Sequence, residues 1–94
     1  MKRYDSWVTP FLSLDLRGGT LVTISNDDED MLEIKWPDGM LIDVGFIKDE
    51  NAYYITAVAS DTLESWNHPI SVAKITERHE LVAAIQAEIL RCRA

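Results

Sequence analysis

Three side chains in this 94-residue sequence are soft metal ligands or nucleophiles, His68, His79 and Cys92, and sixteen more are carboxylates. Structural zinc needs paired Cys or His ligands that converge, and separations of 11 and 13 residues supply no such pair. The acidic run offers a better cation test, because Asn26, Asp28 and Asp30 match the first three ligand positions of an EF-hand loop. The loop then fails: Met31 stands where the turn requires glycine, and Pro37 stands where a bidentate glutamate is required. Nucleophilic attack by Cys92 needs a base, and His79 on the same helix would lie about 20 Å away along the axis. Cys92 reads instead as a small apolar residue in a last helical turn. His68, between Trp66 and Pro69, is the strongest candidate for chemistry, since Glu64 is close enough in sequence to orient it. That supports, as an alternative, a small enzyme or ligand-binding domain using His68. Gly18-Gly19 is followed by neither a helix nor a Lys-Ser/Thr pair, so it is not a phosphate loop. Loop carboxylates become an acid/base pair only when burial separates their pKa values. No catalytic residue, metal or cofactor is expected from these patterns.

Charge is more informative than any single group. The net charge is −7, which disfavours nucleic acid and anionic membranes as partners, because both demand a basic footprint. From Asn26 to Trp66 eleven acids face only Lys35 and Lys48, a local charge of −9, and the two ends together carry +2. Such polarity within one small domain, spanning residues 1–94, is expected to put a one-signed field on whichever face the acidic loops share. A solvated surface is the plain explanation, and a docking surface for a basic protein is the sharper one.

The aromatic residues bear on that choice, since Trp and Tyr are the side chains that most often anchor interfaces. Trp36 and Phe46 fall on apolar strand faces and are expected in the core. Trp66, and one of the adjacent Tyr53 and Tyr54, are harder to bury, because neighbouring strand residues point to opposite faces. The expected partner-binding residues are therefore Asp27, Asp28, Asp30, Asp49, Glu50 and Trp66.

What positions these residues is a series of short alternating runs. Phe11 to Ser25 reads as a hairpin turning at Arg17-Gly18-Gly19, followed by the acidic loop Asn26 to Asp30. Leu32, Ile34 and Trp36 mark a strand closed by Pro37-Asp38-Gly39. Met40 to Ile47 forms the next, and Lys48 to Asn51 is a hairpin-length connection. Ala52 to Ala59 is nearly continuous in hydrophobicity, as expected of a central strand covered on both faces. Ser60 to Pro69 reads as a loop and Ile70 to Ile75 as a short edge strand. From Glu77 to Arg91 the period turns helical, with Leu81, Ala84, Ile85, Glu88, Ile89 and Cys92 on one face and Thr76 as the expected N-cap. Connections this short force antiparallel pairing. The expected fold is α+β, an antiparallel meander of four to six strands with one C-terminal amphipathic helix packed on a face.

No run of residues approaches the ~20 apolar positions needed to cross a bilayer. The opening Met1-Lys2-Arg3-Tyr4-Asp5 is broken by a charge where a signal peptide would turn apolar, so a cytoplasmic location is expected.

The runs Leu41-Ile42-Asp43-Val44-Gly45-Phe46, Tyr53-Tyr54-Ile55-Thr56-Ala57-Val58 and Trp66-Asn67-His68-Pro69, with one closing helix, resemble the small acidic immunity proteins of bacterial polymorphic and contact-dependent toxin systems. The likeness covers roughly Met40 to Arg91. It implies a non-catalytic protein that binds one cognate toxin, often a basic nuclease, and blocks its active site or substrate groove. No residue role carries over with it. A phage-type inhibitor or nucleic-acid mimic is an alternative of the same broad class, and a homo-oligomer joined through an edge strand or aromatic patch is the blandest.

Overall fold

In the computed structural model, which describes residues 7–94, five strands pair in sequence order: β1 (Thr20–Thr23), β2 (Leu32–Lys35), β3 (Leu41–Ile47), β4 (Ala52–Val58) and β5 (Ser71–Ile75). Every pairing is antiparallel. The fold is thus the expected α+β meander, and the sheet stays open, with β1 and β5 at its edges. The Met1–Asp5 stretch and Tyr4 lie outside the described residues.

Strand alternation divides the sheet into an inner and an outer face. Ile34, Ile42, Val44, Tyr53, Ile55 and Ala57 point inward and are buried with Leu81, Ile85 and Ile89 of helix α2 (Leu81–Cys92). Burying the Ile, Leu and Val side chains among these supplies the main driving force, about 1.5–3 kcal/mol for each one fully removed from water. Polar ties join the same layers. Ser71 donates to the buried Glu88 carboxylate, which Arg91 also contacts. Arg93 reaches from the helix end to Asp38 at 2.7 Å and lies over the Trp36 ring.

Three expectations need correcting. Leu12, Leu14 and Leu16 alternate like a strand, yet Thr9–Ser13 is a 3₁₀ turn. Pro10 has no N–H to give a ladder and its fixed φ suits the start of a helix. Beyond it, Asp15 donates its N–H to Gln86 Oε1 at 2.8 Å and accepts from Gln86 Nε2 at 3.1 Å, so this segment is tied to α2 and not to β1. Second, the loop expected between Ser60 and Pro69 contains a short helix, α1 (Leu63–Asn67). Thr62 caps it by accepting from the Ser65 N–H. Third, Thr76 does not cap the C-terminal helix: a 3₁₀ turn, Arg78–Glu80, precedes α2. Arg78 of that turn is held by Asn26, Asp27 and Tyr53, which fixes the path of the chain into α2.

Two glycines are required by what lies beside them. A Cβ on Gly19 would stand 2.8 Å from the Trp36 ring, whose indole N–H donates to Leu16 and Arg17 carbonyls. A Cβ on Gly45 would run into the Glu29 carbonyl oxygen, because the acidic loop lies directly over the outer face of β3.

Candidate partner-binding surface

A meander places alternate connections at the same end of its sheet. The β1–β2 loop with Asp27, Asp28, Glu29 and Asp30 therefore lies beside the β3–β4 turn with Asp49 and Glu50, and the β5–α2 connection with Glu77 and Glu80 joins them. Five of the six residues expected to bind a partner are brought together at this end. Trp66 is at the other end, on α1 between β4 and β5, about 20 Å away along a seven-residue strand. It is half-buried there, and its indole N–H donates to Asp61 at 2.8 Å.

The acidic loop is held by backbone bonds that a regular hairpin would not make. The Met31 N–H donates to Val44 and the Phe46 N–H to Asp28, at 3.0 and 2.8 Å. Between these bonds Glu29 and Asp30 bulge out, and the bulge closes only because Gly45 has no side chain. Asp27 adopts a left-handed backbone, φ 50°, which aspartate tolerates. Its carboxylate accepts from Arg78 and from the Tyr53 hydroxyl, both at 2.6 Å. Burial and the Asp27 carboxylate raise the Tyr53 pKa, so the phenol stays a donor.

Loop and turn enclose an open depression of about 230 Å³. Phe46 and Ile47 form its apolar lining, and Asp27, Asp28, Glu29, Asp49 and Lys48 its polar one. Asp28, Glu29, Asp30 and Asp49 are exposed and form no ion pair among the described residues, whereas Asp27 is engaged by Arg78 and Glu50 by Lys74 at 3.3 Å. The Tyr54 hydroxyl, and then Lys74, hold the Glu50 carboxyl below its usual pKa, so it is ionised. Of the seven described Lys and Arg residues, Lys48 alone lacks an ion pair among the described residues. The end of the sheet is consequently an anionic rim around an apolar patch, with its basic neighbours largely spent on internal contacts.

Among the described residues, no three of His, Cys, Asp and Glu are placed to hold one metal ion. His68 is exposed at the C-cap of α1, remote from the depression. Burial, with the nearby Glu88 carboxylate, raises the Cys92 thiol pKa, which keeps it protonated and weakly nucleophilic. No described helix is long and apolar enough to cross a membrane.

Gly45 and Arg78 shape this surface without having been singled out by sequence. Phe46, expected in the core, is half-buried and lines the depression, and Tyr53, of the pair expected to be hard to bury, is buried and bonds Asp27. Gly45 gave a readable sign, since an isolated glycine inside a strand pattern marks close backbone approach. Arg78 gave none, because its partner Asp27 is 51 positions away. In comparisons with known proteins, no family model, no curated protein and no solved structure matches the chain.

Proposed function

We propose that the chain is a non-catalytic protein-binding inhibitor that docks a basic partner through the acidic end of its sheet, acting as an immunity protein toward a cognate nuclease-like toxin. The observation that supports this reading is the convergence of two acidic connections, from separate hairpins, on one depression with an apolar lining. A nuclease groove built for phosphate is cationic, so the exposed Asp28, Glu29, Asp30 and Asp49 carboxylates steer it in, and Phe46 and Ile47 lose water on contact. Complementary charge of this kind raises association rates to about 10⁸–10⁹ M⁻¹s⁻¹ at low salt, against about 10⁵–10⁶ for a neutral pair.

The test is to express the tagged chain in its source cell, identify proteins retained in one-to-one ratio, and measure association with the purified partner from about 20 to about 500 mM salt. A basic partner whose association slows steeply with salt, and whose activity is lost in the complex, is the expected result. Equal rates across that range would sink the electrostatic docking.

A further inference from the structure

Glu33 of β2 and Asp43 of β3 are direct cross-strand partners on the outer face of the sheet, in the interior of the meander. Like charges in this relation oppose strand pairing. Asp30, at the downstream end of the acidic loop, adds a third carboxylate that acts on Asp43. The other neighbours do not neutralise the group. Opposite Asp43 on β4 is Thr56, which does not titrate; Lys35 of β2 is 3.6 Å from Glu33; Lys74 of β5 is occupied by Glu50. Asp43 itself has no ion pair among the described residues, and it is half-buried. Two residues further along β3 lies Gly45, over which the acidic loop closes. The same loop is anchored on either side by Met31 bonding to Val44 and Phe46 bonding to Asp28. The carboxylate cluster therefore sits at the downstream anchor of the loop.

We infer that Asp43 is a proton-controlled latch for the acidic loop: when protonated it becomes a donor to the neighbouring carboxylates and holds the loop down on β3, and when ionised it repels Asp30 and loosens that anchor. Burial, with Glu33 and Asp30, raises the pKa of Asp43 to about 6, which places the change close to neutrality. The device belongs to the folded chain and does not rest on the identity of any partner.

Amide hydrogen exchange of the isolated chain, corrected for the intrinsic pH dependence, tests it at the amides of Glu29 to Met31, with Ile55 as the core reference. Protection of the loop amides should fall about tenfold between about pH 5 and pH 7.5, the effect of roughly one pKa unit of coupling, while Ile55 changes less. Asp43→Asn, which cannot ionise, should abolish the pH dependence, and Glu33→Gln should move its midpoint to lower pH. Protection that is flat with pH in the native chain, or a dependence that survives in Asp43→Asn, would overturn the latch. Either outcome leaves partner docking to be judged by its own salt dependence. Should Asp43→Asn fail to fold, the titration of the Asp43 carboxyl carbon in the native chain decides the matter, because a midpoint near an ordinary aspartate value also overturns it.

Discussion

The Arg78 guanidinium and the Asp27 carboxylate meet at 2.6 Å across 51 positions of sequence, and the contact fastens the acidic loop to the approach to α2. Arg78 also lies over the Tyr53 and Phe11 rings and donates to the Tyr53 hydroxyl, so three separate segments converge on its side chain.

Replacing Arg78 by Ala should therefore cost more than an isolated surface pair. Both partners are near two-fifths exposed, which limits the direct ion pair to about 0.2–1 kcal/mol. Loss of the stacking on Phe11 and Tyr53 adds roughly 0.5–1 kcal/mol. A double-mutant cycle with Asp27→Ala in urea should yield a coupling energy smaller than the total Arg78→Ala loss. Equality of the two would place all the effect in the ion pair.

Gly45→Ala should displace the acidic loop while leaving β4 and β5 paired. The added methyl meets the Glu29 carbonyl, a backbone atom that cannot rotate aside, and overpacking of this kind costs about 1–3 kcal/mol. Amide shifts concentrated in residues 27–31, with a lowered urea midpoint, are the expected signature. A variant with native shifts in that loop would contradict the packing described for Gly45.

Stability should depend on pH through Asp43. Its folded pKa of about 6 exceeds the ordinary value of 3.8, so the folded state holds the proton more tightly than the unfolded chain. The resulting stabilisation is complete below about pH 4 and is lost as pH rises through about 6, a change of about 1–2 kcal/mol after allowance for partial exposure. Asp43→Asn should raise stability at pH 7 and flatten the profile between those limits. Urea unfolding at a series of pH values measures it, and a native profile that rises across the same window without contribution from other groups would refute the assignment.

If the proposed docking holds, charge removal at the acidic end should slow association with a basic partner, and removal of Trp66 should not. Asp28→Asn, Glu29→Gln and Asp49→Asn combined are expected to reduce the association rate at least about tenfold at low salt and to shrink its salt dependence. Trp66→Ala changes a side chain at the far end of the sheet, so stopped-flow rates should stay near those of the native chain. A rate loss with Trp66→Ala equal to that of the triple variant would move the docking surface to α1.

Much of the fold was legible because strand period, turn residues and connection length are local properties. The acidic loop, the Pro37-Asp38-Gly39 turn and the Lys48–Asn51 turn are where the alternation of Leu32–Trp36, Met40–Ile47 and Ala52–Ala59 implies. The misreadings share a physical origin. Leu12, Leu14 and Leu16 carry a strand-like period, but Gln86, 71 positions away from Asp15, takes the backbone groups that a ladder would have used. The acids could be counted from sequence, and their gathering follows from an even number of strands separating the two loops' hairpins. Trp66 was grouped with them on composition, whereas the sense of each strand sends its connection to the opposite end. The Asp27–Arg78–Tyr53 network depends on how α2 lies across the sheet, and no local pattern encodes that.

The order β1-β2-β3-β4-β5 has a kinetic consequence. Each strand finds its partner in the segment just made, so loop closures are short and the sheet can zip from hairpin to hairpin quickly. Contacts between the first thirty residues and the C-terminal segment, the 3₁₀ turn and α2, close long loops, as Arg78 with Asp27 and Gln86 with Asp15 show, and their closure entropy makes them late. Arg78→Ala should accordingly speed unfolding and leave the refolding rate nearly unchanged; slowed refolding would put this contact in the nucleus. On that order of events, the acidic end is finished only after the sheet already exists.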